Sequence, residues 1–129
     1  MQLLTGRQLG DYRLGQRLDA GGSAAVYRAE HVHLSTPAAV KVIAAAPSKI
    51  ALRERFDQQA AALSQLAHPH LVRVTDFVTD TDLVAVVMEL LEGTPLDRAL
   101  SGRPSPYPLA ETLDLMVPVI GAVAFAHGR

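Results

Sequence analysis

Three segments near the N-terminus carry a two-residue period and are separated by turn formers, and this limits the possible folds more than any other feature. In DYRLGQRL, Tyr12, Leu14 and Leu18 share one parity; the alternation resumes in AAVYRAEHV after the pair Gly21 and Gly22, and PAAVKVIA supplies a third run. Successive side chains on a strand face opposite ways, so the runs read as strands joined by turns. In the third, Ala39, Lys41 and Ile43 fall on one face and Val40 and Val42 on the other. A lysine inside so apolar a run needs a reason, because arginine outnumbers lysine ten to two.

Further on the period changes. Pro47 and Ser48 punctuate the chain, and Ser48 is placed to cap a helix over roughly Ile50 to Ala67 whose inward stripe holds Leu52, Phe56, Leu63 and Leu66. Gln59 falls in the same stripe, where a polar group needs a partner. Pro69 in HPH ends the helix, and two more strands, LVRVTDFV and LVAVVMEL, are joined by the turn-rich TDTD. EGTPLDRALSG reads as a short helix with Thr94 as cap, Pro95 at its first position and Gly102 past its end. After the proline-rich RPSPYP, the spacing of Leu109, Leu113, Met116, Val117, Ile120 and Ala124 predicts a final amphipathic helix.

The totals exclude several classes. At 129 residues the chain has the length of one domain, and 12 Lys plus Arg against 13 Asp plus Glu leave no field that draws nucleic acid or an acidic membrane surface. Cysteine is absent, so there is neither a disulfide framework nor thiolate chemistry. The N-terminus lacks the features of a signal peptide, and the apolar stretch Met116 to Ala126, interrupted by Pro118 and Gly121, falls short of the ~20 residues of a membrane helix. It reads as a core helix, and the cytoplasm is the expected compartment.

Taken together, the glycine turn, the lysine strand, the helix and the later strands and helices resemble the bacterial Hanks-type serine/threonine protein kinase domain. The likeness runs from about Tyr12 to Arg129, roughly the first half of such a domain. It implies an α+β fold, with a kinase N-lobe of five antiparallel strands plus the αC helix, followed by two helices of the C-lobe. Residues 1–11 are then an N-terminal extension, 12–91 the N-lobe and hinge, and 92–129 the start of a C-lobe cut before its catalytic loop.

The resemblance assigns roles residue by residue. The family's G-x-G-x-x-G loop, whose small residues let backbone N–H groups approach phosphate oxygens, corresponds to Asp19, Ala20, Gly21, Gly22, Ser23 and Ala24. Only the central glycine is kept, and Asp19 brings a carboxylate toward the phosphates; the pair alone reads as a plain hairpin turn, and Val26 is what favours a phosphate-covering loop. Val26 takes the place of the adenine-covering valine. Ala38-Ala39-Val40-Lys41 matches V-A-I-K, so Lys41 is expected to pair the α- and β-phosphates, although a strand lysine can also snorkel from an edge. Where the family carries a glutamate to hold that lysine, this chain has Gln59, which offers an amide oxygen without the strength of a charge-assisted bond. VVMELLEG matches the hinge, with Met88 as gatekeeper and the backbones of Glu89 and Leu91 reading the adenine edge.

Neither H-R-D nor D-F-G occurs in the 129 residues, so no catalytic base or metal ligand can be assigned. The expected cofactor is ATP, with Mg2+ only if the rest of the C-lobe is supplied, and the expected partners are ATP and a protein substrate or partner protein. A final helix without the rest of its lobe should expose an apolar face that invites self-association. His31 with His33, and His68 with His70, form two H-x-H pairs, too few ligands for zinc without help. No Walker loop or G-x-S-x-G elbow is present, and basic residues lack the aromatic interleaving of a nucleic-acid surface. Two functions remain open. One is the ATP-binding part of a kinase, inactive alone; the other is a pseudokinase or adaptor module, favoured by Asp19 and Gln59.

Overall fold

The computed structural model describes residues 4–21, 24–44, 58, 61–62, 65–80, 83–103 and 106–128. Six antiparallel strands form one sheet: β1 (Gln8–Leu9), β2 (Tyr12–Gly21), β3 (Ala24–His31), β4 (Pro37–Ala44), β5 (Val74–Thr79) and β6 (Leu83–Met88), in the order β1-β2-β3-β4-β6-β5. The five expected strands are present. The sixth, β1, has only two residues, too few to leave a periodic signal in the sequence.

Alternation sorts the side chains as the sequence requires. Leu14, Ala25, Tyr27, Ala29, Val40, Val42, Ala85 and Val87 are buried in one continuous core, with Leu4, Tyr12, Val78 and Leu83 packed against it. In β2 the parity breaks: register shifts between Leu14 and Arg17, and again between Arg17 and Asp19, leave Leu18 exposed although it shares Leu14's parity. The first extra residue reverses the faces that follow it, so Leu18 lands away from the core, and the second restores them from Asp19 onward.

The segment ahead of β2 packs onto the sheet. Leu9 is buried with the core, the Leu4 amide donates to the Tyr27 hydroxyl at 3.2 Å, and Arg7 donates to the Asp80 carboxylate at 2.8 Å. That ion pair is exposed and worth at most about 1 kcal/mol; the apolar contacts hold the segment. Gly10 makes the β1–β2 turn with φ +56°, and a Cβ there would lie 3.1 Å from Cγ1 of Val78. Gly10→Ala is therefore expected to cost about 1 to 2 kcal/mol, through the left-handed backbone and the crowding of Val78. Urea denaturation would measure it, and a loss below a few tenths of a kcal/mol would count against this turn.

The helix expected over roughly Ile50 to Ala67 falls largely outside the described residues, including Ser48, Leu52, Phe56, Gln59 and Leu63. Gln58, Ala61 and Ala62 are helical, whereas Leu66 and Ala67 are not, so the helix ends earlier than its apolar stripe suggests. Helix α1 (Leu96–Ser101) starts one residue late relative to the sequence reading: Pro95, not Thr94, is the cap, and no side chain caps it. Thr94 loses the capping role because the chain turns helical only after the proline. Gly102 follows the helix as expected, in right-handed rather than left-handed geometry.

Helix α2 (Leu109–His127) runs 19 residues and contains Pro118. Arg103 braces its start, with its guanidinium 3.9 Å over the Tyr107 ring and 2.9 Å from the Glu111 carboxylate. Its contacts with Tyr107 and then Glu111 push the Arg103 guanidinium further up from its ordinary range. The core-helix reading of this segment is corrected: Ala122 is its only buried residue among those described. Its full length also meets the length and composition of a membrane span, which the shorter stretch Met116 to Ala126 did not. The expected exposed apolar face is present, with Leu109, Leu113, Val117 and Ile120 all solvent-accessible.

Candidate functional site

The face of the sheet opposite the core carries the one lysine among the described residues. Lys41 in β4 stands opposite Val26 of β3 on one side and Val86 of β6 on the other. Ala39, two residues earlier on the same face, stands opposite Met88. The result is one ammonium group among small and apolar side chains: Ala39 is buried, Val26, Val86 and Met88 are half-buried, and Lys41 is exposed. Among the described residues Lys41 makes no ion pair. Such a face can receive a flat apolar ring against Val26, Ala39 and Met88 and hold an anion at Lys41.

Strand pairing explains how these residues converge. β4 is the central strand between β3 and β6, and its Val40 and Val42 are almost wholly buried, which locks its register and so fixes Lys41 on the other side. The turn between β2 and β3 begins at Gly21, which closes β2 opposite Ala24; Gly22 and Ser23 lie outside the described residues. Gln59 is also outside them, so its distance from Lys41 is not defined. Beyond Met88 the chain leaves the sheet, and the Glu89 amide donates to the Arg73 carbonyl at 2.9 Å. Leu91 is exposed two residues on.

Sequence reasoning singled out Val26, Ala39, Lys41 and Met88 and put Ile43 on the face of Lys41, but it did not find their neighbours Val84 and Val86. Ile43 was readable from alternation in β4. Val84 and Val86 belong to a run of apolar residues without alternation, and only the register with β4 assigns their face. Both H-x-H pairs serve turns: the His31 Nδ1 accepts from the amides of His33 and Leu34, and the His68 Nδ1 from the amide of His70. The His68 ring also packs against Phe125 of α2, with centroids 5.1 Å apart.

An antiparallel sheet with one apolar core face, a lysine on the other, and a strand exit leading to helices defines an α+β fold. The chain belongs to the protein kinase domain family, which matches residues 12–129. It is 33% identical over 121 residues to the serine/threonine-protein kinase pkn2 of Myxococcus xanthus, covering 93% of this chain and 14% of that protein. It is 31% identical over 128 residues to the serine/threonine-protein kinase PrkC of Bacillus subtilis, covering 97% of this chain and 19% of that protein. Among solved structures, the Mycobacterium tuberculosis PknI kinase domain (C20A mutant) superposes with a TM-score of 0.84 at 27% identity, over 100% of this chain and 53% of that one. The chain thus spans about half of a solved kinase domain and under a fifth of these two curated relatives.

Proposed function

We propose that the chain is the ATP-binding half of a serine/threonine protein kinase domain, acting in the cytoplasm. Residues 12–91 are its N-lobe and hinge, and 92–129 begin the C-lobe. The observation that carries this reading is the shared face of Lys41, Val26, Ala39 and Met88. Adenine would lie between Val26 and Ala39 with Met88 behind it, and Lys41 would neutralise the α- and β-phosphates. The backbone from Gly21 through Ser23 would cover the phosphates. The Glu89 amide is already spent on Arg73, which fits its carbonyl for the adenine edge, with the Leu91 backbone beside it.

ATP supplies the transferable phosphoryl group when bound. This chain's residues bind and orient it, and Gln59 is the remaining candidate to steady Lys41. The group that orients a protein hydroxyl and the ligands for Mg2+ belong to motifs not found in these 129 residues, so transfer needs the rest of the domain. Calorimetry on the chain should show weak ATP binding that falls about five- to tenfold in Lys41→Met, consistent with the loss of one charge-assisted contact. Tight binding that ignores Lys41 would overturn the pose.

Asp19 and Gln59 support a second reading, a pseudokinase or adaptor module that works through protein binding. The discriminating observation is the coding sequence beyond Arg129. H-R-D and D-F-G in frame, or one frameshift away, support the kinase; a stop with no remnant of them supports the adaptor.

A further inference from the structure

A cavity of about 320 Å³ opens on β2, β3 and β4, and none of the nucleotide-face residues lines it. Its wall includes Arg13, Gly15, Arg28, Glu30, His31 and Pro37. Register brings them together from distant points in sequence: Arg13 stands opposite Glu30, Glu30 opposite Pro37, and Arg28 opposite Ala39. Arg28 and Glu30 follow Val26 on the same face of β3, so the cavity begins about 7 Å along the strand from the pair Val26 and Lys41.

Three features of the cavity bear on what it could hold. Gly15 is part of the lining, and its lack of a side chain lets β2 run close to β3, where a Cβ would sit 3.3 Å from the Arg28 carbonyl oxygen. Two guanidinium groups flank one carboxylate, giving a local excess of one positive charge, and among the described residues Arg13, Arg28 and Glu30 form no ion pair. Both residues are arginine, whose planar fork suits a carboxylate or phosphate in two-point contact.

The surroundings narrow the ligand. β3 and β4 are flanked by strands on both sides, so an incoming chain cannot add to the ladder and must be recognised through side chains. The volume lies at the small end for ligand sites, enough for one or two side chains. Val32 and Pro37 provide an apolar wall for a methylene stem beside the guanidinium groups.

We propose that this cavity is a docking pocket for an acidic peptide segment of a protein partner, which inserts a side chain ending in an oxyanion between Arg13 and Arg28. The proposal does not depend on the nucleotide reading. It is tested with the 129-residue chain at low micromolar concentration by fluorescence anisotropy of a labelled Glu-Ala repeat peptide, with a Gln-Ala repeat as control. The Glu-Ala peptide should bind saturably and the Gln-Ala peptide should not. Arg13→Ala and Arg28→Ala should each weaken binding about tenfold, the loss of one charge-assisted contact. Glu30→Gln should strengthen it, and Lys41→Met should leave it unchanged.

All four positions are exposed, so the variants are expected to fold, and matching circular dichroism melts would verify this. No saturable binding, or binding indifferent to both arginine substitutions, overturns the proposal. If inorganic phosphate at equal ionic strength displaces the peptide at concentrations equal to the peptide's own dissociation constant, the pocket is a small-anion site and the peptide assignment fails. Loss of binding in Lys41→Met with the arginine variants unaffected moves the ligand to the nucleotide face and likewise rejects it.

Discussion

Tyr27→Ala is expected to lower the unfolding free energy by about 4 kcal/mol, as large-to-small changes of buried aromatics do. Against a total of about 5–15 kcal/mol for a domain of this kind, that loss leaves a large unfolded fraction at room temperature. The ring is fully buried at the centre of the core, opposite Val40 on β4 and Arg17 on β2. Its removal leaves a cavity bounded by strands whose ladders prevent collapse. The hydroxyl has a smaller, separable role. Tyr27→Phe keeps the ring and removes only the acceptor for the Leu4 amide, so it should cost about 1 kcal/mol. Urea denaturation followed by far-ultraviolet circular dichroism reads both. Equal costs for the two variants would mean that the tie to Leu4, not the packing of the ring, dominates.

The same residue shows why the fold was legible from sequence. Tyr27, Val40 and Val42 sit at positions where a period of two admits one arrangement, and the structure buries all three. Leu18 shows the limit of that logic. Its parity matched Leu14, but the bulge around Arg17 reversed its face, and a bulge is set by pairing with a distant strand rather than by local pattern. β1 was missed for the related reason that Leu9 is buried by tertiary packing alone. At Thr94, local capping preference gave way to a helix that begins after Pro95.

At the site, the residues that short motifs could identify were Val26, Ala39, Lys41 and Met88, and the register joins them across three strands. Val84 and Val86 needed that register to be assigned a face. Arg13 and Arg28 escaped notice because scattered basic residues carry no motif; only the pairing of β2 with β3 shows that they border one cavity.

Helix α2 supplies the second large effect. Leu113, Val117 and Ile120 are spaced i, i+4, i+7 on one stripe and are 51%, 59% and 62% exposed, far from the burial such a stripe normally obtains in a folded domain. Nothing else among the described residues covers them, and Pro118 within the same turn weakens the helix's own hydrogen bonding without reducing its apolar surface. Apolar surface of this extent drives association by removing itself from water. The chain should therefore scatter light increasingly with concentration, whereas Leu113→Glu combined with Ile120→Lys should stay monomeric at concentrations about a hundredfold higher. That shift corresponds to about 2.7 kcal/mol of association free energy, which burial of two large aliphatic side chains can supply. The charges replace exposed groups and leave the sheet core untouched, so the urea midpoint of the sheet should not move. A double variant that associates as strongly as the parent would assign the contact to another surface, with exposed Leu34 and Leu91 the next residues to substitute.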